Sequence, residues 1–187
     1  EKFIEDNKDQ PFFLYLTHNN PHVVLNAKPE LIEKHKDAFN PVYAAMIETL
    51  DDNVGRVLEK LHKCKLAERT LVIFASDNGG TIIQHRGRKV TDNFPLRSGK
   101  GSLYEGGIRV PLIVRLPGVT PRGKACDEPV TCTDFYPTIL DLCGLGTIRA
   151  HHRCIEVGSA VAQWEFVVEW IRSVDHLRIL ATCIPCP

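Results

Sequence analysis

Apolar positions follow a helical period over one long stretch of the chain. In residues 42–64 the apolar side chains recur at intervals of three and four, and charged side chains such as Asp52 and Lys60 fall largely between them. Pro41 stands at the start, where its fixed φ suits the first turn of a helix. The pattern therefore predicts a long amphipathic helix over residues 42–64.

Short runs of apolar, aromatic and β-branched residues predict three strands. Residues 11–17 read PFFLYLT, residues 70–75 read TLVIFA, and residues 110–115 form a third run. The second run is apolar throughout, as expected of a strand that is covered on both faces. The segment DFYPTILDL at residues 134–142 predicts a short helix.

The order of these elements indicates the class of fold. Strand, helix, strand, loop, strand and helix in succession are typical of an α/β protein. Because strands connected through a helix run parallel, we expect a three-layer α/β/α sandwich with a mostly parallel sheet. The connection at residues 79–109 is rich in Gly, Arg and Lys, and a loop of that length in a compact domain is usually functional or mobile.

Composition refines this picture by exclusion. Basic and acidic residues number 23 each, so the formal net charge is +0 and the basic excess typical of nucleic-acid-binding proteins is absent. No apolar run reaches the roughly 18 residues of a membrane span. We therefore expect neither a nucleic-acid partner nor a membrane partner. The cysteines number seven, and an odd count gives little support to a disulfide framework. The sequence gives no indication of the oligomeric state.

A C-x-x-C pair lies close to the end of the chain. Cys183 and Cys186 form this pair, and His151, His152 and Cys154 lie upstream. A zinc site would require these side chains to converge in space. A single C-x-x-C without a second one at matching spacing is common by chance, and chance is the stronger interpretation here.

An acidic and an amide side chain follow the strand predicted at residues 70–75. Ligands of open α/β sheets bind beyond the carboxyl ends of the strands, and Asp77 and Asn78 stand at such an end. Their oxygens are hard donors suited to Ca²⁺ or Mg²⁺. The sequence Asp-Asn-Gly-Gly is also an ordinary turn, and spacing alone favours the turn.

Two basic side chains in loops are the other candidates. His22 follows the first predicted strand, where a histidine can donate a proton or bind an anion. Lys100 lies between glycines in SGKGS, which would let the backbone approach sulfate or phosphate closely. Taken alone, a loop histidine is more often simply solvated, and the alternative for Lys100 is a solvated lysine in a flexible surface loop. Glu105 and Arg109, further along the same loop, are expected to have a structural role.

Four segments in order resemble the sulfatase family of the alkaline-phosphatase-like superfamily. They are PFFLYLT with NNPH, TLVIFASDNGG, PLRSGKGSLYEGGIRVPLIV and TCTDFYPTILDLCGL, and together they span residues 11–145. The resemblance implies that Asp77 and Asn78 bind Ca²⁺, with Mg²⁺ the less favoured ion. It implies catalytic, sulfate-contacting roles for His22, which assists departure of the alcohol, and for Lys100, which offsets charge on the sulfate oxygens.

The family nucleophile is missing from the sequence. It is a formylglycine made from Cys or Ser in a C/S-x-P-S/A-R motif, and no such motif occurs in the 187 residues. Residues 1–145 are therefore expected to be the C-terminal part of a sulfatase catalytic domain, with the formylglycine in a preceding segment and no appreciable activity in this chain alone. Residues 146–187 are expected to be a divergent tail with a helix near residues 157–171, and a frame change or a fusion is the hypothesis for its origin.

The resemblance also implies a class of substrate and a compartment. We expect a sulfuric ester hydrolase acting on a sulfated small molecule or glycan in a periplasmic, secreted or lysosomal-type location. The basic segment at residues 85–89 is compatible with a sulfated glycan and equally with a solvated loop. Two alternatives stay open from the sequence: a phosphonate or phosphodiester hydrolase of the same superfamily, and a degenerate paralogue that keeps the fold without turnover.

Overall fold

The secondary structure is known from a computed structural model, which describes residues 1–85, 87–144 and 178–184. The helices in those residues are α1 (Lys2–Asp6), α2 (Pro29–Lys34), α3 (Pro41–Lys63), α4 (Glu105–Ile108) and α5 (Phe135–Leu142). The strands are β1 (Phe12–Thr17), β2 (Thr70–Ser76), β3 (Gln84–His85), β4 (Arg88–Lys89), β5 (Leu112–Arg115) and β6 (Arg178–Ile184). Short 3₁₀ turns at Ala67–Arg69 and Cys132–Asp134 precede β2 and α5.

Four of these strands form one sheet. Their order across the sheet is β1-β6-β2-β5. Strand β6 is parallel to both of its neighbours, so that Ile179 lies opposite Phe13 of β1 and opposite Leu71 of β2. Strand β5 is antiparallel to β2. The short strands β3 and β4 pair with each other in a separate antiparallel hairpin.

The longer predicted elements are confirmed with small shifts of their ends. The helix predicted at residues 42–64 is α3, which begins and ends one residue earlier. The strands predicted at residues 11–17, 70–75 and 110–115 are β1, β2 and β5. The helix predicted at residues 134–142 is α5.

The strand between β1 and β2 comes from the far end of the chain. Its sequence, RILATCI, is apolar and β-branched, but it lies in the segment expected to be a divergent tail, where no strand is predicted. In the described sheet β1 and β2 each bond to β6 rather than to one another. Cys183 lies in β6; the other proposed zinc ligands, and the helix expected at residues 157–171, fall outside the described residues.

Helices cover both faces of the sheet. Successive side chains of a strand point to opposite faces, so the two aromatic residues at the start of β1 are buried in different clusters. The cluster beneath α1 and α3 consists of Ile4, Phe12, Leu61, Leu66 and Val72. The cluster beneath α5 consists of Phe13, Leu71, Ile73, Leu116, Ile139, Leu140 and Cys143.

The long helix α3 has a polar start and an amphipathic body. The Asn40 side chain accepts a hydrogen bond from the backbone N–H of Tyr43 at 3.2 Å, which satisfies one of the unpaired donors of the first turn. Pro41 occupies that turn, as its fixed φ favours. No helix within the described ranges is both long enough and apolar enough to cross a membrane.

Helix α2 is an element that the hydrophobic pattern does not predict. It has no buried residue, and exposed helices leave little apolar periodicity in a sequence. Lys34 and the following His35 both bond to Glu48 of α3. The hydrogen bond from Lys34, and to a lesser extent that from His35, holds the pKa of Glu48 below its usual range. They attach α2 to α3 at the surface.

Replacement of Ile139 tests the packing of α5 on the sheet. This side chain is 0% exposed, and Ile139→Ala should lower the free energy of unfolding by about 2–5 kcal/mol because it leaves a cavity. Ile83, which is 55% exposed, offers a matched control, and Ile83→Ala should change that free energy by less than about 0.5 kcal/mol. Urea unfolding followed by circular dichroism measures both, and equal effects would contradict this packing.

Candidate functional site

Two loops leave the carboxyl edge of the parallel strands. Because β1, β6 and β2 run in one direction, their carboxyl ends lie at the same edge of the sheet. Strand β1 leads into a loop that contains His18 and His22, and β2 leads into residues 77–80, here called the aspartate turn. Neighbouring strands lie about 4.8 Å apart, so one intervening strand separates the roots of these loops by about 10 Å.

A third loop packs against the aspartate turn through close backbone contacts. Residues 97–107, here called the lysine loop, contain Lys100 and a pair of glycines near the end. The backbone N–H of Gly79 donates to the Gly107 carbonyl at 2.9 Å, and the backbone N–H of Lys100 donates to the Gly80 carbonyl at 3.1 Å. A Cβ atom on Gly79 would lie 1.8 Å from the Gly106 carbonyl oxygen. The contact therefore requires glycine at position 79.

His22 contacts Lys100 through one ring nitrogen and the backbone through the other. Its Nδ1 lies 2.6 Å from the Val23 carbonyl oxygen, and its Nε2 lies 3.2 Å from Lys100 Nζ. A carbonyl oxygen can only accept and an ammonium can only donate. These two contacts together fit the neutral ring that carries its proton on Nδ1 and presents the Nε2 lone pair to Lys100.

The aspartate turn presents oxygen donors. Asp77 is exposed and Asn78 is half-buried, directly after β2. The Asn78 Oδ1 atom is buried and has no hydrogen-bond partner among the residues that the structure describes. Ser76 Oγ donates to the Asn78 carbonyl oxygen at 2.9 Å and so helps to fix the backbone of the turn. A buried amide oxygen without a donor fits a site that accepts a cation.

The described residues supply only part of a metal site. No group of three or more His, Cys, Asp or Glu side chains is arranged to hold a metal ion within the ranges that the structure describes. Calcium ions in proteins take about 6–8 oxygen ligands. The carboxylate of Asp77 and the amide oxygen of Asn78 are suitable in kind, and they would make up a fraction of such a set.

The second histidine after β1 differs from His22 in its surroundings. Burial lowers the pKa of His18, so its ring is neutral near pH 7. Within the described part of the chain its Nε2 atom is buried without a hydrogen-bond partner, as is Ser102 Oγ in the lysine loop. His18 therefore has the character of an interior residue, whereas His22 faces the lysine loop.

The two ends of the lysine loop are held together by contacts between residues near its start and residues near its end. The guanidinium of Arg97 lies over the ring of Tyr104, 3.8 Å from its centre, and the Arg97 carbonyl accepts a hydrogen bond from Gly106 at 2.9 Å. Glu105 and Arg109 form an exposed ion pair at 3.4 Å, in keeping with their expected structural role. Exposed pairs of this kind add little stability.

A polar cleft lies beside His22. Its volume is about 460 Å³. Asparagine side chains form much of its wall, with His22 at one side. The residues that line it are Asn19, Asn20, His22, Val23, Val24, Asn26 and Met46. A ligand held by Lys100 and His22 would have this cleft as a neighbouring space.

Lys100 connects the candidate residues that the sequence indicates. Its ammonium reaches His22, and its backbone N–H bonds to Gly80, two residues after Asn78. Asn93 belongs to the same cluster, because its side chain bonds to Gly80 and Ser98. No motif indicates Asn93, since its partners are 13 and 5 residues away and the bonds depend on the fold of both loops.

Comparison with known proteins assigns the family. A family model described as Sulfatase matches residues 1–145. The chain belongs to the sulfatase family. Among curated relatives, a sulfatase of Formosa agariphila is 40% identical over 160 residues, which cover 76% of this chain and 28% of that protein. The steryl-sulfatase of Rattus norvegicus is 37% identical over 145 residues, which cover 76% of this chain and 25% of that protein.

A solved structure is similar to this chain in both sequence and fold. The crystal structure of Ps i-CgsB in complex with k-i-k-neocarrahexaose matches with a TM-score of 0.73 and 36% identity, over 88% of this chain and 36% of that chain. The family assignment made from the four ordered motifs is thus confirmed. The chain spans about a quarter of the length of the two curated relatives.

Two glycine substitutions test the contact between the aspartate turn and the lysine loop. Gly79→Ala should lower the free energy of unfolding by about 1–3 kcal/mol, because its Cβ would collide with the Gly106 backbone. Gly55 in α3 has open space around it, and Gly55→Ala should raise that free energy by about 0.5–1 kcal/mol. Thermal and urea unfolding compare the two. A stabilising Gly79→Ala would show that the loops do not touch.

Proposed function

We propose that this chain supplies the calcium- and sulfate-binding residues of a sulfuric ester hydrolase. The observation behind the proposal is the 3.2 Å contact between His22 Nε2 and Lys100 Nζ, in a loop whose backbone is bonded to the aspartate turn. Positive groups and hydrogen-bond donors fixed in this way stabilise an anionic group and the charge that develops on its leaving oxygen.

His22 and Lys100 have complementary roles in this proposal. The Lys100 ammonium offsets charge on the sulfate oxygens. In an intact site, His22 protonated on Nε2 would donate that proton to the ester oxygen as the sulfur–oxygen bond breaks, so that the alcohol leaves and the sulfuryl group passes to a nucleophile that this sequence does not contain. The Val23 carbonyl holds Nδ1, which keeps Nε2 directed toward the lysine loop.

Calcium is the proposed ion for the aspartate turn. Asp77 and Asn78 would hold it through a carboxylate oxygen and the unpartnered Oδ1, together with ligands from elsewhere. Bound there, the ion would supply Lewis-acid polarisation of the sulfate oxygens. The preference for Ca²⁺ over Mg²⁺ rests on membership of the sulfatase family.

We infer that the described sheet is part of a larger three-layer α/β/α sandwich. Two observations support this: helices pack on both faces of the sheet, and β6 is parallel to both of its neighbours. Residues 1–145 would then be a partial catalytic domain. Residues 146–187 lie beyond the family match, and they contribute β6.

A sulfated glycan is the proposed substrate class. The matched crystal structure is a complex with k-i-k-neocarrahexaose, and the cleft beside His22 is lined by three asparagines that can bond to sugar hydroxyls. A periplasmic, secreted or lysosomal-type location is proposed from the family alone. The sequence contains no C/S-x-P-S/A-R motif, so we propose that this chain has no appreciable activity by itself.

An assay with aryl esters tests the proposed lack of turnover. Purified chain with added Ca²⁺ should release no more phenol from an aryl sulfate or an aryl phosphate than buffer does, because it contains no formylglycine precursor motif. The control is a sulfatase with an intact motif assayed in parallel. Robust hydrolysis that disappears in Lys100→Ala would prove that this chain holds a nucleophile.

Sulfate binding tests the positive half of the proposal. Inorganic sulfate added to ¹⁵N-labelled chain should shift the amide signals of Lys100 and the aspartate turn, and Lys100→Ala should weaken the apparent affinity by about tenfold, the loss expected for a charge-assisted hydrogen bond. Lys124→Ala, at another exposed lysine, is the matched control and should leave the affinity unchanged. Equal affinities for both variants would refute sulfate binding by Lys100.

A further inference from the structure

The Asn93 side chain joins the aspartate turn to the lysine loop. Its Nδ2 donates to the Gly80 carbonyl at 2.7 Å and to the Ser98 carbonyl at 3.0 Å. Its Oδ1 accepts from the Gly80 backbone N–H at 3.2 Å. Both amide hydrogens and one oxygen lone pair are therefore used, and each bond is to backbone.

Only a carboxamide of this length meets the demands of the position. Aspartate could accept from Gly80 N–H but could not donate to either carbonyl, and alanine could do neither. The side chain is half-buried, so a carbonyl that loses its donor there is not freely solvated. The chemistry of the position thus depends on the two hydrogens of Asn93 Nδ2.

The bond from Asn93 to Ser98 holds an unfavourable backbone conformation. Ser98 has a φ of +66°, in the left-handed region that residues with a Cβ atom avoid. Two residues later, the backbone N–H of Lys100 donates to the same Gly80 carbonyl that accepts from Asn93. Asn93 therefore fixes the backbone position of Ser98, at the start of the segment 98–100 that ends at Lys100.

We propose that Asn93 is a positioning residue, which holds the lysine loop in the conformation that places the Lys100 ammonium against His22. In this proposal Asn93 acts through Lys100 and makes no contact with the sulfate group. The consequence for sulfate rests on the function proposed above, whereas the mechanical coupling of the two loops does not.

Amide hydrogen exchange tests the coupling without any ligand. Asn93→Asp should speed exchange of the Gly80 and Lys100 backbone amides by about tenfold, the change expected from one lost hydrogen bond. Exchange in α3 should stay as it was. Thr91→Val is the matched control, because it removes the buried bond from Thr91 Oγ1 to the Thr81 carbonyl at 2.8 Å and spares Ser98. Unchanged exchange at Lys100 in Asn93→Asp would overturn the proposal.

A second substitution guards against simple unfolding. Ser98→Gly removes the Cβ that makes a φ of +66° unfavourable, so it should restore slow exchange at Lys100 when added to Asn93→Asp. A general loss of folding would not be repaired at Lys100 by this one change. Failure of the double variant to recover, with Ser98→Gly alone well folded, would count against the coupling through Ser98.

Sulfate titration separates positioning from bulk stability. Asn93→Asp should weaken sulfate binding about as much as Lys100→Ala, and the double variant should bind no more weakly than Lys100→Ala alone, since Asn93 acts through Lys100. If the losses of sulfate affinity in the two single variants added up in the double variant, Asn93 would not act through Lys100. If the unaltered chain binds no sulfate, the proposed function fails, while the exchange data still decide whether Asn93 couples the loops.

Discussion

Backbone contact between the aspartate turn and the lysine loop is the constraint on which the candidate site depends. The main chains at Gly79 and Gly106 approach so closely that a single methyl group between them would overlap a carbonyl oxygen. Hydrogen bonds at Gly80 and Gly107 close the contact. The backbones that carry the oxygen donors and Lys100 are therefore held together by main-chain contacts, to which the Asn93 side chain adds its bonds to Gly80 and Ser98.

The polarity of this region contrasts with the cores on the two faces of the sheet. Buried polar atoms that lack partners in the described ranges occur at His18, Asn78 and Ser102, in the loops that follow β1 and β2 and in the lysine loop. Each such atom costs about 1–3 kcal/mol when nothing replaces its lost water. Unpaired atoms that gather at the carboxyl edge of the sheet, away from the apolar clusters, are typical of a surface prepared for a ligand.

The sequence predicts those elements whose signal is contained within one segment. Helix α3 is long and amphipathic, and strands β1 and β2 are apolar runs bounded by polar turns. Asp77 and Asn78 follow directly from the end of β2. The hydrophobic pattern does not predict helix α2, because none of its side chains is buried. No sequence motif indicates Asn93 either, because its hydrogen bonds to Gly80 and Ser98 form only after both loops have folded.

The position of β6 has a consequence for biosynthesis. The apolar strands β1 and β2 are joined in the described sheet only through a strand about 100 residues beyond β2. A ribosome that adds about 5–20 residues per second needs roughly 5–20 s to cover that distance. During this interval both strands have unpaired edges, which attract other chains. The nascent protein would thus depend on dilution or a chaperone until β6 emerges.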